Sequence, residues 1–117
     1  MEARIAFLKR EADQEGGLFS KASESDFRRF VEAHSAWSKP NLYLVDNGNL
    51  RAVWKSALGL QFLGGAEVQF VIFAKDPDES ELVRSAGRDS LTGIESRIAS
   101  FEFGDQQVAG HHRVGAT

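Results

Sequence analysis

Between residues 41 and 74, apolar residues recur at alternate positions in four short runs, which predict the strands of an antiparallel β-meander. Three segments rich in turn-forming residues separate these runs: Asp46–Asn49, Lys55–Ala57 and Gly64–Ala66. The first segment contains Asn47-Gly48, and an Asn-Gly pair is the strongest short-range signal for a β-hairpin. The pattern therefore predicts consecutive hairpins in this part of the chain.

The register of the hairpins follows from keeping the large apolar residues on one face, because a slip of one residue would turn a whole strand over. In the first hairpin this criterion pairs Tyr43 with Ala52 and Val45 with Leu50. In the other two hairpins it pairs Ala52 with Leu60, Trp54 with Leu58, Leu58 with Ile72, Leu60 with Phe70 and Phe62 with Val68. The face that carries these residues is the predicted core.

Two helices are predicted before the meander. Residues 3–15 place apolar residues on one helical stripe, and Gly16-Gly17 is a natural stop after it. Residues 23–37 form a second amphipathic pattern, for which Ser23 is the predicted N-cap. Pro40 follows that pattern, and the residue before a proline avoids the helical conformation.

Helical patterns return after the meander. A short helix is predicted over residues 78–85, and a longer one begins after Asp89 or Ser90 and runs to about residue 101. The predicted fold class is α+β, a four-stranded antiparallel β-meander with N- and C-terminal helices packed on one face. A single domain is predicted over residues 1–103, with residues 104–117 as a flexible C-terminal tail.

The second face of the predicted sheet is more apolar than a solvated face would be. Its apolar residues include Leu42, Leu44, Val53, Val71 and Phe73. We predict that these residues bind a protein partner or a second copy of the chain in a homodimer, since contiguous exposed apolar patches mark contact sites. Two alternatives stay open from the sequence alone: the N-terminal segment or a helix covers this face, or the face forms a ligand groove.

A second candidate site lies between residues 84 and 90. Arg84, Arg88 and Ser90 are predicted to bind a small anion there, because two arginines would flank the start of a helix, whose free N–H groups attract negative charge. The alternative is a corner between two helices, with Gly87 ending the first, Asp89 capping the second and the arginines in solvent.

Composition and charge narrow the classes of function. A formal charge of −3 argues against non-specific nucleic-acid binding, which depends on clustered Lys and Arg. The absence of cysteine excludes disulfides and thiolate chemistry and, in so small a domain, favours a reducing compartment. No stretch approaches the length of a membrane span, and the N-terminus lacks the apolar region of a signal peptide. We therefore predict a cytoplasmic protein with no membrane partner.

No catalytic residue, cofactor or metal is predicted. The carboxylates fall in loops and caps without the spacing that paired acid–base chemistry requires. His34 lies on a helical stripe and His111-His112 in the predicted tail, whereas a structural metal site needs about four converging ligands. Residues 70–73 echo the end of an RNA-recognition pattern, but the predicted register buries Phe70, so nucleic acid is not a predicted partner.

Several blocks of the chain resemble segments of small uncharacterised bacterial proteins with an antiparallel meander and a C-terminal helix. The blocks are Leu50–Lys55, Leu58–Gly65, Val68–Phe73 and Ala86–Phe101. The resemblance spans residues 41–103 and implies a bacterial cytosolic protein with an accessory role, but no activity or site residue comes with it. The predicted function is a non-enzymatic interaction protein that acts through the second sheet face, with anion or ligand binding as the alternative.

Overall fold

An antiparallel sheet of five strands, in the spatial order β1-β2-β3-β4-β5, forms the centre of the computed structural model. The structure describes residues 1–45, 47–55, 57–75 and 82–101. Its elements are α1 (Glu2–Gln14), α2 (Lys21–Ala33), β1 (Asn41–Leu44), β2 (Leu50–Trp54), β3 (Leu58–Gly64), β4 (Glu67–Lys75), β5 (Leu82–Ser90) and α3 (Leu91–Phe101). The α+β class and the antiparallel sheet are as predicted, whereas the sheet has one strand more. The predicted tail, residues 104–117, lies outside the described residues.

All three helices pack on the same face of the sheet. Ile5 of α1, Phe27 of α2 and Ile94 of α3 join one buried cluster with residues of the strands, including Trp54 and Phe62. Within it, the rings of Phe27 and Phe62 meet edge to face at 5.6 Å between centroids. The prediction of helices on one face of the sheet is confirmed, and that face is the core.

The predicted register of β2, β3 and β4 is confirmed. Cα partners are Ala52 with Leu60, Trp54 with Leu58, Leu58 with Ile72, Leu60 with Phe70 and Phe62 with Val68. A bulge between Phe62 and Gly64 then shifts the pairing at the end of β3. These strands alternate large apolar residues with smaller or polar ones, so one register buries far more apolar surface than its neighbours do.

The predicted register of β1 is wrong by one residue. Leu42 pairs with Ala52 and Leu44 with Leu50, so Leu42 is buried with 3% of its surface exposed, while 47% of Tyr43 is exposed. The Val45 N–H donates to the Asn49 carbonyl and continues this shifted register into the connection between the two strands. Leu42 and Leu44 therefore belong to the core face and not to the predicted partner surface.

The predicted helix over residues 78–85 is wrong for residues 82–85, which lie in β5; residues 76–81 lie outside the described residues. From Leu82 to Ser90, β5 pairs with β4 along its whole length. Gly87 faces Phe70 there, and a Cβ at Gly87 would lie 3.3 Å from Cζ of that ring. Because the core volume beside β5 is filled by a side chain of β4, β5 lacks the alternating large residues that would identify a strand.

The start of α2 also differs from the prediction. Ser20 is the N-cap, since its side chain accepts a hydrogen bond from the Ser23 N–H, and the helix ends at Ala33 rather than at residue 37. Ser23 is instead a buried link to the sheet: its hydroxyl donates to the Phe62 carbonyl and accepts from the Leu50 N–H. The start of α2 is thereby fixed over the end of β3.

Candidate functional site

The sheet face opposite the helices, called the open face below, holds the candidate site. Because side chains alternate across a strand, the observed register assigns one set of residues to this face. Those with described side chains are Asn41, Tyr43, Arg51, Val53, Gly59, Gln61, Leu63, Glu67, Gln69, Val71, Phe73, Arg84, Ala86, Arg88 and Ser90. Within the described ranges, each helix that packs on the sheet does so through the core cluster on the other side. No described segment therefore covers the open face.

A row of small residues crosses the middle of the open face. Val53 pairs with Gly59, Gly59 with Val71, and Val71 with Ala86, so four adjacent strands contribute to it. The Arg51 guanidinium lies over Gly59, where a Cβ would stand at ordinary contact distance, 3.7 Å, from the Arg51 Nη2 atom. The row forms the apolar floor of the open face, in which Gly59 is buried beneath Arg51, Val53 and Val71 are half-buried, and Ala86 is exposed.

Positive charge surrounds this floor. Arg51, Arg84 and Arg88 lie on the open face together with one carboxylate, Glu67. The Arg88 Nε donates to the Glu67 carboxylate at 3.1 Å, and both side chains are largely exposed. These four side chains sum to +2, whereas the whole chain has a formal charge of −3. The open face therefore differs in sign from the protein as a whole.

The structure brings the two predicted sites together. Val53, Val71 and Phe73 of the predicted partner surface share the open face with Arg84 and Arg88, and Phe73 is the direct Cα partner of Arg84. The sequence pattern could not reveal this, because the arginines join the face only through β5. Tyr43 was missed for the opposite reason, since the predicted register had placed it in the core.

The predicted anion site itself does not converge. Arg84 and Arg88 are four residues apart on a strand, which separates their Cα atoms by roughly 13 Å. The Ser90 hydroxyl accepts from the Gly93 N–H at 2.9 Å and caps α3. The two arginines are therefore not gathered with Ser90 at the start of a helix, as the prediction required.

On the core side of this strand end, Asp89 fixes α3 to the sheet. Its carboxylate accepts from the Arg97 Nε at 2.7 Å and from the Ser90 N–H at 2.8 Å. These bonds, first that of Arg97, lower the pKa of Asp89 below its ordinary value. The carboxylate also occupies the space beside Gly93, where a Cβ would lie 2.0 Å from Asp89 Oδ1. This cluster is structural and explains the glycine inside α3.

A concave region lies on the helical side of the sheet, at the C-terminal end of α2. It has a volume of about 320 Å³ and is lined by residues that include Val31, Trp37 and Trp54. His34 stacks on Trp37 at 4.0 Å between ring centroids, and its Nε2 lies 2.7 Å from a carboxylate oxygen of Glu95. His34 thus links α2 to α3 through a side chain, as a structural histidine does.

Metal ligands and membrane spans are not found in the described part of the chain. No group of three or more His, Asp or Glu side chains converges there. His111 and His112 lie outside the described residues. Among the described helices, none combines the length and apolar character needed to cross a membrane.

Comparison with known proteins adds no relative. No protein-family model, curated protein or solved structure matches the chain.

Proposed function

We propose that this chain is a non-enzymatic protein-binding module whose open face binds an acidic surface of a protein partner. The observation that carries the proposal is the presence, on one sheet face, of an apolar floor that no described helix covers and of arginines that give this face a net positive charge. Protein–protein interfaces usually have an apolar centre surrounded by polar residues, and arginine and aromatic residues are enriched in them. The resemblance to small bacterial proteins supports an accessory role in a bacterial cytoplasm.

Charge favours a different protein over a second copy of the chain. A homodimer joined through two open faces would bring Arg51, Arg84 and Arg88 of each copy toward the arginines of the other, with one glutamate per copy to offset them. Like charges across an interface cost free energy and suppress that pairing. An acidic partner removes the repulsion and is attracted at long range by the same arginines.

The arrangement of aromatics favours protein over nucleic acid. Sheet surfaces that bind single-stranded RNA stack bases on aromatic side chains that lie close together. Here the exposed aromatics of the open face, Tyr43 and Phe73, lie at opposite corners. Three strand spacings and four residues along a strand separate them by roughly 20 Å, and Arg51 and Gln69 lie between. The open face offers no continuous stacking platform.

The test compares Phe73→Glu with Phe7→Glu. Both rings are exposed, 36% for Phe73 and 41% for Phe7, but Phe7 lies on α1 outside the open face. Partners are captured from cells by cross-linking, purified, and titrated against each variant by calorimetry at two salt concentrations. We expect Phe73→Glu to weaken binding at least tenfold, since it adds a negative charge to an acidic contact, and Phe7→Glu to leave the affinity unchanged.

Three outcomes would overturn the proposal. Equal affinity of both variants would exclude the open face as the binding surface. A partner that is RNA or DNA would replace the proposed class of ligand. A homodimer that light scattering detects in the wild type, and that Phe73→Glu alone disperses, would assign the open face to self-association.

A further inference from the structure

We infer that the outer edge of β5 accepts an extended segment of the partner as a sixth strand, with acidic side chains placed opposite Arg84 and Arg88. This inference rests on the proposed function and names the part of the partner that binds. It concerns the backbone of β5 in addition to the side chains of the open face. Strand addition of this kind derives affinity from main-chain hydrogen bonds and specificity from alternate side chains.

The hydrogen-bonding direction of β5 follows from that of β4. The Phe73 N–H donates to the Ala57 carbonyl on the β3 side, so odd-numbered residues of β4 direct their backbone groups toward β3. The even-numbered residues of β4 therefore bond to β5, and their partners there are odd-numbered, such as Gly87 opposite Phe70. It follows that the backbone N–H and C=O groups of Arg84, Ala86 and Arg88 point away from the sheet.

The two edges of the sheet differ in their protection. At the β1 edge the Leu42 carbonyl accepts from the Arg4 Nε of α1 at 3.0 Å, and β1 is only four residues long. At the other edge β5 is nine residues long and has β4 as its only strand neighbour within the described residues. Long edge strands with unpaired backbone groups are templates for another strand. The β5 edge is thus the one available for pairing.

The side chains of β5 suit an incoming strand of a particular composition. Ser85, Ala86 and Gly87 are small at the centre of the strand and leave its backbone accessible. Arg84 and Arg88 flank that centre on the open face, four residues apart. Directly opposed residues of neighbouring strands interact, and opposite charges stabilise the pair. The complementary segment therefore carries Asp or Glu at two positions four residues apart.

The same arginines disfavour pairing of β5 with β5 of a second copy. A two-fold axis at Ala86 would place Arg84 directly opposite Arg88 of the other copy, a destabilising like-charge pair. An axis at Gly87 avoids that direct pair but still gathers four arginines on one face of two adjacent strands. An acidic segment of another protein brings no arginine near Arg84 or Arg88, so pairing with it involves no such repulsion.

The test measures fluorescence anisotropy with a defined probe and the full chain. The probe is a labelled, end-capped peptide of threonine and valine with two glutamates four positions apart. Ala86→Pro removes an outward N–H of β5 and leaves the hydrogen bonds between β5 and β4 in place. An edge strand tolerates proline at such a position, because the lost N–H does not bond within the sheet. Ala86→Ser is the matched control that keeps the N–H. We expect binding to the wild type and to Ala86→Ser, and about tenfold weaker binding to Ala86→Pro, the usual effect of losing one hydrogen bond.

Two further peptides keep the outcome decisive if Ala86→Pro folds poorly. Methylation of alternate peptide nitrogens removes strand pairing without changing charge, and exchange of both glutamates for lysine reverses the charge. The inference is supported if both peptides bind much more weakly than the probe. Absence of probe binding, equal binding of the methylated peptide, or equal binding of wild type and a folded Ala86→Pro overturns it.

The same variants separate this inference from the proposed function. Partner affinity that falls with Phe73→Glu but not with Ala86→Pro retains the open face and removes the β5 edge. Affinity that falls with Ala86→Pro but not with Phe73→Glu removes the open face. A wild-type dimer that sedimentation detects, and that Ala86→Pro disperses, would identify a second copy as the occupant of the edge and overturn the acidic segment.

Discussion

Replacement of Ser23 by alanine tests the link between α2 and the sheet. Ser23 is fully buried, and its hydroxyl donates to the Phe62 carbonyl at 2.5 Å and accepts from the Leu50 N–H at 2.8 Å. Both backbone groups lie where the regular pairing of β3 ends, because the bulge begins after Phe62. Ser23→Ala removes the hydroxyl and leaves a buried donor and a buried acceptor without a partner.

The size of the effect follows from those two groups. An unsatisfied buried polar group costs about 1–3 kcal/mol, so two of them cost roughly 2–6 kcal/mol. Alanine in place of serine inside a helix returns about 0.5 kcal/mol of propensity. We expect Ser23→Ala to lower the free energy of unfolding by roughly 2–5 kcal/mol. For a domain of this size that corresponds to a fall in Tm of about 8–20 °C.

Urea unfolding followed by circular dichroism measures the loss, with thermal unfolding as a second readout. Ser25→Ala is the matched control, because Ser25 is an exposed residue of the same helix and the same substitution there leaves no buried group unsatisfied. The control should lie within about 0.5 kcal/mol of the wild type. A Ser23→Ala variant as stable as Ser25→Ala would refute the reasoning that this hydroxyl satisfies the sheet backbone.

The remaining predictions concern β1 and α3. Leu42→Asp should lower the free energy of unfolding by about 3–5 kcal/mol, because it buries a charge. Tyr43→Asp should lower it by less than about 1 kcal/mol. If urea unfolding shows the reverse order, the observed register of β1 is contradicted. The lowered pKa of Asp89, due first to Arg97, stabilises the fold above the ordinary carboxyl pKa of about 4, and this contribution is lost as pH falls through the lowered value. Asp89→Asn should therefore be less stable than the wild type near pH 6. Urea unfolding near pH 2.5 should show a smaller difference in stability between the two proteins. A difference that does not change with pH would contradict the stabilising role of the Asp89 carboxylate.

The register in the middle of the sheet was predictable because only one register buries all the large apolar side chains. In β2, β3 and β4 the large apolar residues alternate strictly enough that a shifted register would expose Trp54, Leu60 and Phe70 together. Long hydrophobic alternation is a local property of the chain, and local properties are what a sequence pattern reports. The same alternation correctly assigned Val53, Val71 and Phe73 to the open face.

The edges of the sheet were decided by contacts between distant parts of the chain. Residues 42–45 are apolar at every position, so alternation cannot choose between two registers of β1. The choice depends on the loop after it, where the Ser20 N–H donates to the Gly48 carbonyl and a Cβ at Gly48 would lie 2.8 Å from the backbone of Leu18. At the other edge β5 presents Gly87 to the core, and the volume is filled by Phe70. Neither contact leaves a periodic signal.

The bond from Arg4 to the Leu42 carbonyl limits how this protein can assemble. A sheet with two free edges can pair edge to edge repeatedly and grow into a fibre. Here the Arg4 side chain of α1 occupies an outward carbonyl of β1, so a strand could add at that edge only by displacing it. Pairing at β5 is therefore favoured over pairing at β1, and the expected product is a closed complex of defined stoichiometry instead of a polymer.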